Sequence, residues 1–170
     1  MKNYVPTKEW MAYAIGALGQ GMVYAIMSSY ISDFYLNVLK LTPIFVLLLV
    51  LLARIWDAAI DPILGYYMDR ANPKHGKLKS YIIYTPIPIA VLTILLFYSP
   101  DLSGGALMAY CVITYLLWST VYSVSDVPFW SLPNLMTPNP DERGAIVSRA
   151  RTSNGVGSAI PMAFFMLLGF

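Results

Sequence analysis

Residues 42–67 read TPIFVLLLVLLARIWDAAIDPILGYY, an apolar run that carries three charged side chains, all between residues 54 and 61. A helix needs about 20 mostly apolar residues to cross the roughly 30 Å of hydrocarbon in a bilayer. The run is long enough, and it lacks the alternation of apolar and polar residues that a barrel strand shows. Because only helices and closed barrels satisfy the backbone within lipid, this stretch predicts a transmembrane helix.

Further segments of the chain have the same character. Together with the first they predict about five transmembrane helices, at residues 10–36, 42–67, 81–98, 106–130 and 147–170. Proline-containing stretches between them, such as Thr137-Pro138-Asn139-Pro140, predict turns. We therefore expect an all-α membrane protein, with one transmembrane helical domain over residues 1–170 and the lipid bilayer as its surroundings.

The composition of the whole chain agrees with this fold class. Of its 170 residues, 58% are hydrophobic and 12% are charged, whereas about a quarter of the residues in soluble domains are charged. The net charge of +2 gives no basic field that would attract nucleic acid. A single cysteine, Cys111, excludes an intrachain disulfide, and a single histidine, His75, excludes a metal site built from several histidines.

Lysine and arginine are unevenly distributed between the two ends of the predicted helices. One side carries the N-terminal segment and the loops after the second and fourth helices, with Lys2, Lys8, Arg70, Lys74, Lys77, Lys79 and Arg143. The opposite side carries Lys40 alone. Because basic residues accumulate on the cytoplasmic side, we expect a multi-pass protein of the cell membrane with a cytoplasmic N-terminus.

Two carboxylates lie within the second predicted helix. Asp57 and Asp61 are four residues apart and share one helix face, which Arg54 joins. Charges inside a membrane are costly, so they usually face a cavity or a partner and mark an ion or substrate path. Two carboxylates one turn apart repel each other unless a cation or a proton lies between them. The pair is therefore a candidate site for Na⁺, Li⁺ or H⁺. In the alternative, Arg54 neutralises Asp57, and Asp61 with Pro62 only marks a helix break.

The fourth predicted helix has a second acidic position. Asp126 lies near Pro128, which leaves a backbone carbonyl without its helical partner, and Ser123 lies one turn earlier. Trp130 follows on the same face, and an aromatic ring beside a carboxylate suits a sugar, whose C–H face stacks while its hydroxyls form hydrogen bonds. Alternatively, Trp130 is an aromatic residue of the membrane interface.

Charged residues also lie at predicted helix ends. Arg149 and Arg151 open the fifth helix, where they either follow the positive-inside rule or turn inward to pair with Asp126 or a substrate. Asp69 and Arg70 close the second helix and form either a charge latch against neighbouring helices or a solvated run.

Two classes of membrane enzyme place acidic residues in helices, and neither fits. Phosphotransferases that act on CDP-alcohols need an Asp-Gly pair before Ala-Arg, and here Leu51-Leu52 precede Ala53-Arg54. Intramembrane aspartyl proteases need a Gly-x-Gly-Asp motif, which the sequence lacks. We expect no enzyme activity and no cofactor apart from a coupling ion, Na⁺ or H⁺.

The acidic motifs resemble those of one transporter family. Residues 54–65, R-x-W-D-A-x-x-D-P-x-x-G, and residues 126–132, DVPFWSL, resemble the glycoside–pentoside–hexuronide:cation symporters, the family of melibiose permease. Gly65, Asp69-Arg70 and Gly76-Lys77 are similar to the signature loop of the wider major facilitator superfamily. The resemblance implies a fold of two six-helix halves, of which this chain forms most of the N-terminal half and lacks the C-terminal half.

The resemblance also implies an activity and roles for individual residues. The activity is symport of a sugar or glycoside with a monovalent cation by alternating access. The cation-binding positions are matched by Asp57, Asp61 and Ser123, the two carboxylates being metal ligands if the ion is Na⁺. The substrate-binding positions are matched by Asp126, Trp130, Arg151 and Tyr122. Structural and gating roles are implied for Arg54, Gly65, Asp69 and Arg70.

Two positions depart from the family pattern. Gly21 stands where melibiose permease has an acidic residue that contacts the sugar, which leaves the identity of the sugar open. Ile60 stands where a polar residue precedes the second aspartate of the cation site, which weakens the case for Na⁺ and leaves H⁺ open.

The last apolar run continues to Phe170 without a polar flank. From this we expect a fragment of a transporter rather than a natural five-helix protein. In the alternative, the chain is a truncated membrane protein that does not transport and serves as a partner or a remnant.

Overall fold

The computed structural model describes residues 5–70 and 78–168, without the side chains of residues 69, 79 and 168. The helices of this part of the chain are α1 (Thr7–Asp33), continued by a π-helical turn (Phe34–Val38), α2 (Pro43–Arg70), α3 (Lys79–Tyr84), α4 (Pro86–Leu96), α5 (Gly104–Ser131), α6 (Pro133–Met136) and α7 (Pro140–Leu168). All regular elements of the described residues are helical, which confirms the predicted all-α fold.

Three of these helical stretches are long and apolar enough to cross a membrane. They are Thr7–Val38, Pro43–Met68 and Gly104–Met136, while Pro86–Leu96 is apolar but shorter. On α2, apolar side chains at helical spacing remain more than half exposed: Ile44 at 71%, Leu47 at 69% and Leu51 at 56%. An exposed apolar stripe of this length is the surface that a membrane helix presents to lipid.

The third predicted segment, residues 81–98, is divided into two helices. The break falls at Thr85, whose hydroxyl donates to the Tyr81 carbonyl oxygen at 2.8 Å. Pro86 follows and begins α4. A proline has no N–H to donate and restricts the residue before it, so the helical hydrogen bonds cannot continue unchanged through this point.

The last helix begins at Pro140, seven residues before the predicted segment 147–170. Proline suits the first position of a helix, where its missing N–H would have no partner. Asn139 caps this end, because its Oδ1 atom accepts the Asp141 N–H at 3.0 Å. The carboxylates of Asp141 and Glu142 lie in the first turn, where the helix dipole favours negative charge.

The chain forms two compact units. One comprises residues 32–131, which hold α2 to α5 and the π-helical turn. The other comprises residues 1–31 and 132–170, which hold α1 up to Ile31 together with α6 and α7.

In the second of these units, α1 and α7 meet at their backbones. A Cβ atom on Gly21 would collide with the Asn154 carbonyl, and one on Gly157 would collide with the Leu18 carbonyl. The Asn154 side chain donates from Nδ2 to the Ala17 carbonyl oxygen at 3.1 Å. Small residues permit this close approach in membrane helices, and interhelical hydrogen bonds then stabilise it.

The same unit ties the beginning of the chain to the start of α7. The Val5 N–H donates to Glu142 Oε1 at 3.1 Å, and the Thr137 hydroxyl donates to Glu142 Oε2 at 2.6 Å. Thr137 is 1% exposed, so this carboxylate satisfies a buried hydroxyl and a backbone N–H together.

We expect Gly21→Ala to destabilise the protein and Gly19→Ala, on the same helix, to leave it unchanged or slightly more stable. The new methyl group at residue 21 must displace backbone, and overpacking of this kind costs about 1–3 kcal/mol. Residue 19 has open space around it, and alanine is favoured over glycine in a helix by about 1 kcal/mol. The measurement is the melting temperature of each purified variant in detergent. Equal melting temperatures for the two variants would contradict the close contact at Gly21.

Candidate functional site

Two hydrogen bonds join α2 to α5 at consecutive residues. Asp57 Oδ1 accepts a hydrogen bond from the Ser119 hydroxyl. Trp56 donates from Nε1 to the Thr120 hydroxyl oxygen at 2.9 Å. Ser119 is 6% exposed, so its contact with Asp57 lies inside the helix pair. A hydrogen bond to a carboxylate is worth about 1.5–3 kcal/mol, which makes this contact a strong determinant of how the helices pair.

The second carboxylate of α2 lies one turn further on. The Oδ1 atom of Asp61 is buried and has no hydrogen-bond partner in the described part of the chain. Asp61 is also close enough to Asp126 on α5 for their charges to interact. Because residue numbers rise together from 57 and 119 to 61 and 126, α2 and α5 run in the same direction.

A buried carboxylate oxygen without a partner is unusual. Most buried polar atoms in proteins are hydrogen-bonded, and one left unpaired costs about 1–3 kcal/mol, or more when it is charged. A bound cation or a proton on Asp61 would satisfy the atom, and either would also reduce the repulsion from Asp57. Asp57 and Asp61 thus stay a candidate ion site.

Further oxygen atoms lie on α2 and α5 within about one turn of Asp57, Asp61 or Ser119. Ser123 is buried on α5, one turn after Ser119. Pro62 cannot donate to the Ala58 carbonyl, and Pro128 cannot donate to the Val124 carbonyl, so both oxygens lose their usual helical partners. Hydroxyl, carbonyl and carboxylate oxygens are the donors that hard cations prefer.

The part of the chain that the structure describes was also compared with the requirements of a metal centre built from several strong ligands. The described residues contain no group of three or more His, Cys, Asp or Glu side chains placed to hold a metal ion. Asp57 and Asp61 are a pair and do not form such a group, so their predicted role as metal ligands stays a prediction.

Asp126 and Trp130 are joined directly. Trp130 donates from Nε1 to Asp126 Oδ1 at 3.0 Å, and its ring meets that of Phe129 edge-on. The predicted shared face of these two residues thus brings a carboxylate and an indole into contact, with both side chains only partly buried. The pair therefore places a carboxylate and an indole side by side on α5.

Tyr122, the remaining predicted substrate residue of α5, lies on a second aromatic ring. Its ring stacks on that of Trp118, with ring centres 4.8 Å apart and planes 10° from parallel. Trp118 is 1% exposed, whereas Tyr122 is only partly buried. Trp118 is therefore the inner ring of the pair.

Ser119 and Trp118 were not identified from the sequence. A signal was present, because each lies four residues before a predicted site residue, Ser123 and Tyr122, on the same helix face. That spacing does not reveal which neighbouring helix each side chain meets.

The roles predicted for the remaining residues stay predictions. Arg151 is an exposed residue of α7, in a different unit from Asp126, and their convergence stays a prediction. Arg54 is exposed on α2, and the guanidinium of Arg70 lies 4.0 Å above the ring of Tyr66. Gly65 has open space around it.

Part of the predicted gating loop falls outside the residues that the structure describes. The Asp69 side chain and residues 71–77, with Gly76 and Lys77, lie outside the described residues. Their latch function stays a prediction.

At residue 21, the structure gives a physical reason for the departure from the family pattern. The α7 backbone lies where a side chain would begin, so a carboxylate cannot be placed there without moving a helix. An acidic residue at position 21 therefore cannot contribute to substrate recognition in this chain.

Comparison with known proteins gives the family. Residues 12–170 match the family described as MFS/sugar transport protein. The putative glycoside/cation symporter YagG of Escherichia coli (strain K12) is 31% identical over 141 residues, which are 83% of this chain and 31% of that protein. The uncharacterized symporter YnaJ of Bacillus subtilis (strain 168) is 33% identical, over 94% of this chain and 34% of that protein. The isoprimeverose transporter of Lactiplantibacillus pentosus is 30% identical, over 94% of this chain and 33% of that protein.

The chain spans about a third of the length of these curated relatives. All three are named as transporters or symporters, not as enzymes, and the resemblance drawn from the acidic motifs is confirmed. The match covers the helices that carry every candidate site residue. The chain belongs to the MFS/sugar transport protein family, within the major facilitator superfamily.

Proposed function

We propose that the chain forms the first helices of the N-terminal half of a symporter, which carries a sugar or glycoside across the cell membrane together with a monovalent cation. The observation that carries this proposal is the buried Oδ1 atom of Asp61, which has no hydrogen-bond partner among the described residues and lies one helical turn from Asp57. The relatives' names support the class of substrate and the coupling to a cation. The rest of the transporter is the chain's partner, and the N-terminus is cytoplasmic by the distribution of Lys and Arg.

The coupling ion acts at the α2–α5 pair. With the site empty, the two ionised carboxylates repel each other in surroundings of low dielectric constant, which makes the interaction stronger than in water. A bound ion removes this repulsion and supplies the missing partner of Asp61. The loaded and empty states thus favour different arrangements of the two helices, and an ion shifts a conformational equilibrium only through such a difference in affinity.

Na⁺ and H⁺ make different demands on this site. A proton on Asp61 needs no further ligand, whereas Na⁺ needs several oxygen atoms. Ile60 provides none, but the Ser119 and Ser123 hydroxyls and the Ala58 carbonyl are oxygens of the same helix pair. Binding measured against Na⁺ concentration and pH separates the two ions.

The substrate is bound on the part of α5 that follows the ion site. Asp126 and Trp130 provide a carboxylate and an indole already in contact, and Tyr122 provides a second aromatic face. Arg151 of α7 is the cationic residue proposed to act with them. Since the carboxylate of Asp61 is within electrostatic range of Asp126, ion loading also changes the field at the proposed substrate group.

Replacing either carboxylate of the ion pair should abolish ion-stimulated sugar binding. Asp57→Asn and Asp61→Asn keep the size of the side chain and remove the charge, so the basal sugar affinity should remain. Coupling is reciprocal, so sugar should no longer raise ion affinity in these variants. The measurement is sugar binding to the complete symporter with Na⁺ varied at several pH values. Asp101→Asn, at an exposed position between α4 and α5, is the control. Normal Na⁺ and pH responses in both variants would place the ion site elsewhere.

For Na⁺ as the coupling ion, Ser119→Ala should weaken Na⁺ binding by about 10- to 100-fold, because a hydrogen bond to a charged group is worth about 1.5–3 kcal/mol and each 1.4 kcal/mol is tenfold. Ser119→Thr retains the hydroxyl and should retain most of the affinity. Ser131→Ala removes a hydroxyl of the same helix that donates to the Val127 carbonyl at 2.8 Å, and it should have no effect. The measurement is the ion affinity of each variant in the absence of sugar. Equal affinities for Ser119→Ala and Ser131→Ala would exclude Ser119 from the ion site.

Trp130→Ala should weaken sugar binding by roughly tenfold, since an aromatic contact and its buried area are lost together. Arg151→Lys should also weaken it, because lysine cannot reproduce the planar, two-pronged donor set of arginine. Arg149→Lys is the control, since that guanidinium lies 4.6 Å above the ring of Trp10. Unchanged sugar affinity in both test variants would assign Trp130 to the membrane interface and Arg151 to the charge distribution of the loop.

A further inference from the structure

A hydrogen bond between two side chains joins α4 to α5. The sequence of α4 is PIPIAVLTILL, in which Thr93 is the polar side chain. Its hydroxyl oxygen accepts a hydrogen bond from Trp118 Nε1 at 2.8 Å. Trp118 is almost wholly buried, and an indole N–H in such surroundings needs an acceptor. Thr93 therefore determines where the indole of Trp118 can lie.

The Thr93 hydroxyl is itself held in place. It donates to the Ile89 carbonyl oxygen, one turn back on α4, at 2.8 Å. A hydroxyl group donates only one hydrogen bond, so the bond to Ile89 fixes the direction of the Thr93 lone pairs. One of these lone pairs accepts the indole N–H. The result is a chain of two hydrogen bonds from the α4 backbone to the Trp118 ring.

The Trp118 ring passes this constraint to Tyr122. The two rings are nearly parallel and 4.8 Å apart, so the plane of the buried indole sets the plane of the partly buried phenol ring. Trp118 is too buried to touch a substrate, at 1% exposure. Tyr122 is the less buried ring of the pair.

We infer that Thr93 and Trp118 are positioning residues for the substrate: they hold the Tyr122 ring in the orientation in which it contacts the sugar. This inference rests on the proposed function. A flat ring contributes to sugar binding only when its plane matches the C–H face of the sugar. An indole anchored to a neighbouring helix fixes that plane before the substrate arrives, which lowers the entropy cost of binding.

Isosteric variants separate the hydrogen bond from the packing. Thr93→Val removes the acceptor at nearly constant volume, and Thr93→Ser restores it. Trp118→Phe keeps a ring against Tyr122 and removes the N–H. Thr85→Val is a matched control, because Thr85 makes the same bond to the carbonyl four residues before it, also at 2.8 Å, and is buried.

We expect Thr93→Val and Trp118→Phe to raise the dissociation constant for the sugar by about two- to tenfold at saturating cation, the range given by one uncharged hydrogen bond. Thr93→Ser and Thr85→Val should bind as wild type does. Cation affinity measured without sugar should be unchanged in all four variants. In a Tyr122→Leu background, Thr93→Val should cause no further loss, since the two changes then act on one interaction.

The outcomes distinguish this inference from the function on which it rests. If the wild-type symporter shows no cation-stimulated sugar binding, the proposed function fails. If it does, and Thr93→Val binds sugar normally, only the positioning role fails. A full additional loss from Thr93→Val in the Tyr122→Leu background, or an equal loss from Thr85→Val, would show a general packing effect and would also overturn it. Should Trp118→Phe fail to fold, Thr93→Val and its serine rescue still decide the result.

Discussion

A carboxylate on a membrane helix has no bulk water to solvate it, so the protein must provide its partners. Asp57 finds one across the helix pair, in the buried hydroxyl of Ser119, and this contact sets the register of α2 against α5. Once residue 57 faces residue 119, helical periodicity alone brings the next turns together, with Asp61 and Ser123 one turn on. The candidate ion site is thus a consequence of one buried hydrogen bond and a spacing of four residues.

In the other unit, polar side chains also find their partners within the protein, and those partners are backbone carbonyls rather than charged groups. Gly21 and Gly157 let α1 and α7 approach until side-chain amide and hydroxyl groups reach main-chain carbonyls across the interface, as Asn154 reaches Ala17 and Ser158 reaches Gly21 at 3.2 Å. Close packing here excludes a carboxylate at residue 21. In this chain residue 21 serves the packing of α1 against α7, and the same position cannot also carry a carboxylate.

The sequence was sufficient for the fold class and for the faces of single helices. Long apolar runs predicted the helices, and a spacing of four residues placed Asp57 with Asp61 and Asp126 with Trp130. It was not sufficient for contacts between helices, because the partners Ser119 and Thr93 depend on register and rotation, which hydropathy does not encode. The early start of α7 was missed for another reason: its first turns are polar, so a search for apolar runs passes over them. The convergence of Arg151 with Asp126 joins two separate units and stays a prediction.

On the proposed function, α5 carries the ion site and the substrate site on adjacent rows of one helix. Ser119 and Ser123 form one row, and Trp118 and Tyr122 form the next, about 100° away around the axis. The first row contacts Asp57 of α2 through Ser119, while the second is anchored to α4 through Trp118 and carries the Tyr122 ring. The serine row and the aromatic row belong to one helix. If a bound ion rotates α5 so that the serine row moves toward α2, the aromatic row must therefore rotate by the same angle. Coupling between ion binding and sugar binding then needs no network of contacting side chains between the two sites. It needs only two positions of α5 whose populations are shifted by both ligands.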